Sequence, residues 1–181
     1  MPSTWDFKRP LNVTYKHYNK KMKKVYVFLA DGFEDVEALI PVDVWRRGGL
    51  DVTTVSIMGD YTVESAHGVR MMADTLIEDV DVSDADLLFL PGGMPGASNL
   101  YGNQQVCEAV KAQAEKGKKV AAICAAPAVV LGQLGILNGK RATCYPGFEK
   151  DLEGATYTGQ LVSPQVADQI AEGMRFKHLM A

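Results

Sequence analysis

In the stretch KKVAAICAAPAVVL, residues 118–131, a single cysteine stands between an apolar, β-rich run and a run of small apolar residues. Ala122 and Ala126 sit two positions before and two after Cys124. That spacing mirrors the G-x-S-x-G nucleophile elbow, a strand-to-helix corner too tight for bulk at the flanking sites. A sulfur at such a corner lies at a helix N-terminus, where unpaired N–H groups and the helix dipole favour the thiolate and lower its pKa. The spacing predicts an activated nucleophile, while a small buried hydrophobe fits the same position. Cys107, within an amphipathic helical pattern, and Cys144, in a short strand-like run, read as structural.

Two further groupings could serve a thiol. In LFLPGGMPG, residues 88–96, a glycine pair follows a core strand at its carboxyl end. Gly92 and Gly93 let the backbone approach a ligand and present N–H groups, as an oxyanion hole requires. Neither G-x-G-x-x-G nor G-x-x-x-x-G-K-[ST] occurs here, so nucleotide binding is discounted. In DGFEDVEALIP, Glu34, Asp35 and Glu37 open a helix. Glu34 and Asp35 suit the helix dipole. Glu37 begins an apolar face with Ile40 and Pro41, and a carboxyl buried there stays protonated and can donate to a neighbouring thiolate.

The elements that must position these groups alternate. KKVYVFLA reads as a first strand, and EDVEALIPVDVWRRGG as a helix closed by a glycine pair. DVTTVSIM is a second strand. YTVES and VRMMAD form a hairpin around His67–Gly68. ADLLFLPGG is a third core strand, NQQVCEAVKAQAEKG a helix, KKVAAIC a further strand and residues 125–134 a helix. ATYTGQLV is strand-like, and Ser163–Pro164 opens a last helix. Such alternation predicts an α/β fold with a mostly parallel sheet covered on both faces.

The 181 residues, 47% hydrophobic and 23% charged, suit one globular domain. The longest mainly apolar run is about a dozen residues, where a membrane span needs about 20. Three cysteines without zinc-like spacing argue against a disulfide framework or a structural metal, and favour a reducing cytoplasm. Residues 1–24 hold seven Lys/Arg against one acid, leaving the remainder acidic. That arm has no apolar signal region. Residues 1–22 are therefore expected to be a disordered or appended extension, with residues 23–181 as the domain, and no nucleic acid is expected to bind.

Taken together, LADGFEDVEALIPVDVWRRGG, LLFLPGGMPGASNL and VAAICAAPAVVL resemble the ThiJ/PfpI superfamily, on its DJ-type branch, from about Lys23 to Val162. The resemblance implies a flavodoxin-like three-layer sandwich, related to class I glutamine amidotransferases, and a homodimer packed partly through the first helix. It places the reactive cysteine at Cys124, its protonated glutamate partner at Glu37 and oxyanion donors at Gly93 and Ala125. Two departures stand out. Where many relatives carry a histidine near the cysteine, ATCYPGFE offers Tyr145, a poor general base at neutral pH. His67, in a segment that lines the family's pocket, could substitute or be a solvated turn residue. Relatives also continue after the YTGQLV strand with a strand, a turn and a helix, roughly 25 residues by ordinary element lengths. Either a pocket wall is lost between 162 and 163 or a segment is missing there, and the second is favoured because losing core elements would bare apolar surface.

The implied function is a cofactor-free, Cys124-dependent enzyme acting on small reactive carbonyls or their adducts, of glyoxalase or deglycase type, in stress protection. A non-enzymatic redox sensor or chaperone acting through oxidation of Cys124 is the alternative, and an intracellular cysteine peptidase a further one.

Overall fold

The structure, a computed structural model, describes residues 23–158. β1, Lys24–Leu29, is the hub. Its KVYVFL run is β-branched and aromatic, and Val25 through Leu29 are all buried. A strand covered on both faces belongs in the middle of a parallel sheet. Side chains alternate across it: Val25, Val27 and Leu29 enter one core, Tyr26 and Phe28 the other.

After β1 the chain enters α1, Asp35–Arg47, then β2, Asp51–Ser56, which pairs in parallel with β1. β3, Thr62–Glu64, and β4, Arg70–Met72, form an antiparallel hairpin, and β5, Thr75–Leu76, lies beside β2. β6, Leu87–Leu90, takes the other side of β1. α2, Gly96–Gly102, and α3, Gln104–Glu115, lead to β7, Lys119–Ala122. The sheet is parallel throughout, in the order β5-β2-β1-β6-β7. One core lies under α1, with Trp45 standing edge-on to Phe89 at 5.2 Å. The opposite core packs Phe28, Leu88 and Leu90 against Leu100, Val106, Val110 and Val130. Helix, sheet and helix thus form the three layers anticipated.

Several elements differ from expectation. The helix expected over 125–134 is a π-helical segment at Pro127–Gly132 followed by turns, a widened winding that periodicity does not separate from an α-helix. α2 was not anticipated, because a segment bounded by Gly96 and Gly102 has weak intrinsic helix preference. Cys144 is fully buried but lies past the two-residue β8, Arg141–Ala142. Of the ATYTGQLV run, Thr156–Tyr157 forms β9. The basic arm, the Ser163–Pro164 helix and the question of a segment between 162 and 163 lie outside the described residues. Among the described residues, no helix is long and apolar enough to cross a membrane.

Candidate active site

The carboxyl ends of β1, β6 and β7 converge, as ligand sites do in open parallel sheets. The turn after β7 carries Cys124 at φ 61°, the one non-glycine residue with positive φ among the described residues. A side chain in the left-handed region costs roughly 1–2 kcal/mol. Two ties hold the corner there: Ile123 N–H donates to Leu90 O at 3.2 Å, and Tyr145 N–H donates to Cys124 O at 2.7 Å. Small neighbours make the corner feasible, since Ala125 and Ala126 are fully enclosed.

Opposite the sulfur stands Glu37, buried to 6% exposure in the first turn of α1. Its carboxyl is hydrogen-bonded to Cys124, and its Oε2 accepts the Gly92 N–H at 3.1 Å. Gly92 lacks a side chain because there is no room for one. A Cβ there would lie 2.5 Å from both Cys124 Cβ and Glu37 Oε2, and 3.0 Å from Sγ. The N–H groups of Gly93 and Ala125 donate to the sulfur. Gly92, expected as a third oxyanion donor, spends its N–H on Glu37 instead.

The loop beneath is locked by close packing. A Cβ on Gly93, which sits at φ 91°, would run into Glu34 N and Gly32 O. One on Gly96 would meet Gly32 O at 2.7 Å. Glu34 N–H donates to Gly92 O at 3.0 Å, stitching the loop after β1 to the loop after β6.

Burial, more than any other influence, pushes the Cys124 thiol up to about 11; the adjacent Glu37 charge adds to this, and the Gly93 and Ala125 N–H groups pull the other way. This runs opposite to the expected depressed thiol. Helical winding follows the corner at once, with Val129 N–H donating to Ala125 O at 2.9 Å, but burial outweighs what the nearby N–H groups supply. Burial also pushes Glu37 up to about 7. These steps belong to the pair: between them the two groups share one proton and carry one negative charge. Such a pair holds a proton on the carboxyl for a thiolate, or a carboxylate ready to take the proton of the thiol.

The remaining residues occupy the rim. Glu34 caps α1, its Oε2 accepting Glu37 N–H at 2.7 Å. Asp35, read as a dipole residue, instead clamps the hairpin, accepting Ser65 Oγ–H at 2.6 Å and lying 2.6 Å from His67 Nδ1. His67 is 68% exposed at the hairpin tip. Sequence reasoning missed that clamp, whose partners are about 30 residues apart. Tyr145 is bonded to the corner through its backbone, and its exposed ring stands edge-on to Phe148 at 6.5 Å. Glu34, Asp35 and His67 bring ligand-type atoms within 4.8 Å of one another, the one set of that kind among the described residues. There His67 and Asp35 already satisfy each other.

Known proteins place the chain in a family. The sequence profile of the DJ-1/PfpI family matches residues 23–170. Protein DJ-1 homolog B of Arabidopsis thaliana is 46% identical over 130 residues, covering 72% of this chain, and the chain spans 30% of that relative's length. A Bacillus subtilis protein named as a putative cysteine protease is 36% identical over 75% of this chain and 80% of its own. The structure of oxidized Toxoplasma gondii DJ-1 superposes with a TM-score of 0.73 at 32% identity, covering 84% of this chain and 88% of that one. The chain belongs to the DJ-1/PfpI family.

Proposed function

We propose that the protein is a cofactor-free enzyme that uses Cys124 to convert small reactive 2-oxoaldehydes to 2-hydroxy acids. The observation that carries this reading is the Cys124–Glu37 pair sharing a proton at the corner, with the Gly93 and Ala125 N–H groups converging on the same sulfur. As the sulfur attacks the aldehyde carbon, Glu37 takes the thiol proton, a C–S bond forms and the carbonyl pair moves to oxygen. The Gly93 and Ala125 N–H groups steady that oxygen until Glu37 returns the proton to it, completing the hemithioacetal. Glu37, again a carboxylate, carries the former aldehyde proton to the adjacent carbon while the hydroxyl proton passes to the oxygen on that carbon, leaving a 2-hydroxy thioester. Water adds to its carbonyl carbon, the C–S bond breaks, and the sulfur leaves with a proton from the water. No electrons are gained or lost overall, so no redox cofactor is required. Methylglyoxal consumption by the wild type and by Cys124→Ala tests this; equal rates would leave the reaction without its nucleophile.

The redox reading draws support from the partly exposed Cys124 and from a relative captured in an oxidized form. Stepwise oxidation to a sulfinic acid suits a thiol beside a carboxyl that can hydrogen-bond it. Mild peroxide followed by intact-mass measurement separates the two: selective oxidation of Cys124 without aldehyde turnover favours the sensor. Peptidase chemistry, suggested by the name of the Bacillus relative, has less support, since Tyr145 supplies no imidazole beside the sulfur. Homodimerisation through α1 fits its exposed Val36 and Leu39, and a reducing cytoplasm suits three free thiols.

A further inference from the structure

Three hydrogen bonds close a ring beside the reactive pair. Glu34 N–H donates to Gly92 O at 3.0 Å, Gly92 N–H donates to Glu37 Oε2 at 3.1 Å, and Glu37 N–H donates to Glu34 Oε2 at 2.7 Å. The ring ties the start of α1 to the loop after β6 and has no slack, since a Cβ on Gly93 would run into Glu34 N. Capping alone would be served by a neutral side chain such as Ser or Asn. Glu34 instead sets a second carboxyl group against the turn that carries Glu37. A like charge so placed opposes ionisation of a buried carboxyl. Burial is the main reason that Glu37 keeps its proton, and the Glu34 charge acts in the same direction, while the bonds from Cys124 and Gly92 oppose it. On Cys124 the acting groups are different: burial first, then the Glu37 charge, with the Gly93 and Ala125 N–H groups opposing. The Glu34 charge is thus felt by one member of the pair more than by the other.

We infer that Glu34 is a positioning residue for the Cys124–Glu37 pair: it pins Glu37 through the ring, and its negative charge biases the shared proton towards Glu37 and the pair's charge towards the sulfur. Glu34 makes and breaks no covalent bond, and no proton passes through it. The charged groups gathered with it are Asp35, its neighbour on α1, and His67 from the hairpin tip, which bond each other at 2.6 Å. Asp35 foremost, and Glu34 after it, raise the pKa of His67, so the imidazole needs its own control. The inference concerns the nucleophile itself and holds whatever electrophile Cys124 attacks.

The test is the pH profile of Cys124 alkylation by iodoacetamide, read by peptide mass spectrometry, in the wild type, Glu34→Gln and Glu34→Asp. Glutamine keeps an acceptor for Glu37 N–H and removes the charge. The midpoint of the lower step should then move down by about half a pH unit, and the rate at pH 8 should fall by about threefold as the shared proton moves towards sulfur. Glu34→Asp returns the charge and should bring both values back towards the wild type. A midpoint that stays in place in Glu34→Gln would overturn the inference, as would a uniform loss of rate without a shift, the mark of a merely structural role. The shift should persist in a His67→Ala background; its disappearance there would assign the effect to the imidazole and overturn the inference. A wild type inactive on methylglyoxal would strike the carbonyl reading and leave this test standing, because alkylation reads the pair without turnover.

Discussion

Glu37 and Cys124 are joined by a hydrogen bond on opposite sides of a glycine whose missing side chain is what lets them meet. The carboxyl comes from the first turn of α1 and the sulfur from the corner after β7. Their partnership therefore reports on the registration of three strand ends at once.

Reactivity should follow the ionisation of the pair. Alkylation of Cys124 by iodoacetamide should rise through about pH 7, where the pair loses its first proton, and rise again towards about 11. In Glu37→Gln the lower step should vanish and the rate at pH 7.5 should drop by about tenfold or more. A variant profile that keeps the step near 7 would assign that ionisation elsewhere.

Stability should depend on pH through the same carboxyl. Because its folded pKa lies above the unfolded value, the folded state retains the proton, and the cost of ionising it appears as pH climbs from about 4.5 to about 7. Relative to the wild type, Glu37→Gln should therefore gain stability over that window, by up to about 3 kcal/mol at its upper end. Denaturant midpoints at pH 5 and pH 8 give the comparison, and a constant offset between the two proteins would contradict it.

Gly92→Ala should damage site and fold together. The added methyl meets Cys124 Cβ and Glu37 Oε2 at 2.5 Å, contacts that cannot persist. A loss of about 2 kcal/mol in denaturant stability and a collapse of thiol reactivity are expected. Wild-type values for both would show that the corner is looser than its packing.

Cys124→Gly and Cys124→Ala both remove the thiol, yet they should differ. Glycine relieves the left-handed backbone at φ 61° and alanine does not, so the glycine variant should be the more stable by about 1 kcal/mol in urea unfolding. Equal stabilities would mean that the turn relaxes when the sulfur goes.

Much of this site was legible in the sequence, and the reasons are local. Small residues around Cys124 announce a tight corner, a glycine pair after β6 announces close backbone approach, and Glu37 falls on the buried side of α1. The apolar runs of β1, β6 and β7 announce a covered parallel sheet. What escaped depends on distant partners or on solvent exclusion. The Asp35–His67 clamp joins a helix start to a hairpin tip, and no periodicity encodes that meeting. The direction in which the Cys124 thiol shifts reflects how much of it is buried, which its neighbours in the chain do not reveal. The commitment of the Gly92 N–H to Glu37 needed both loops in place, and α2 was hidden behind its own glycines.

The interlocked backbone of Gly32, Gly93 and Gly96 has a further consequence. With main chain pressed on main chain, the loops after β1 and β6 have no slack: a methyl at Gly93 or Gly96 would have to push backbone apart, so even the smallest substitution there should displace the ends of both strands together.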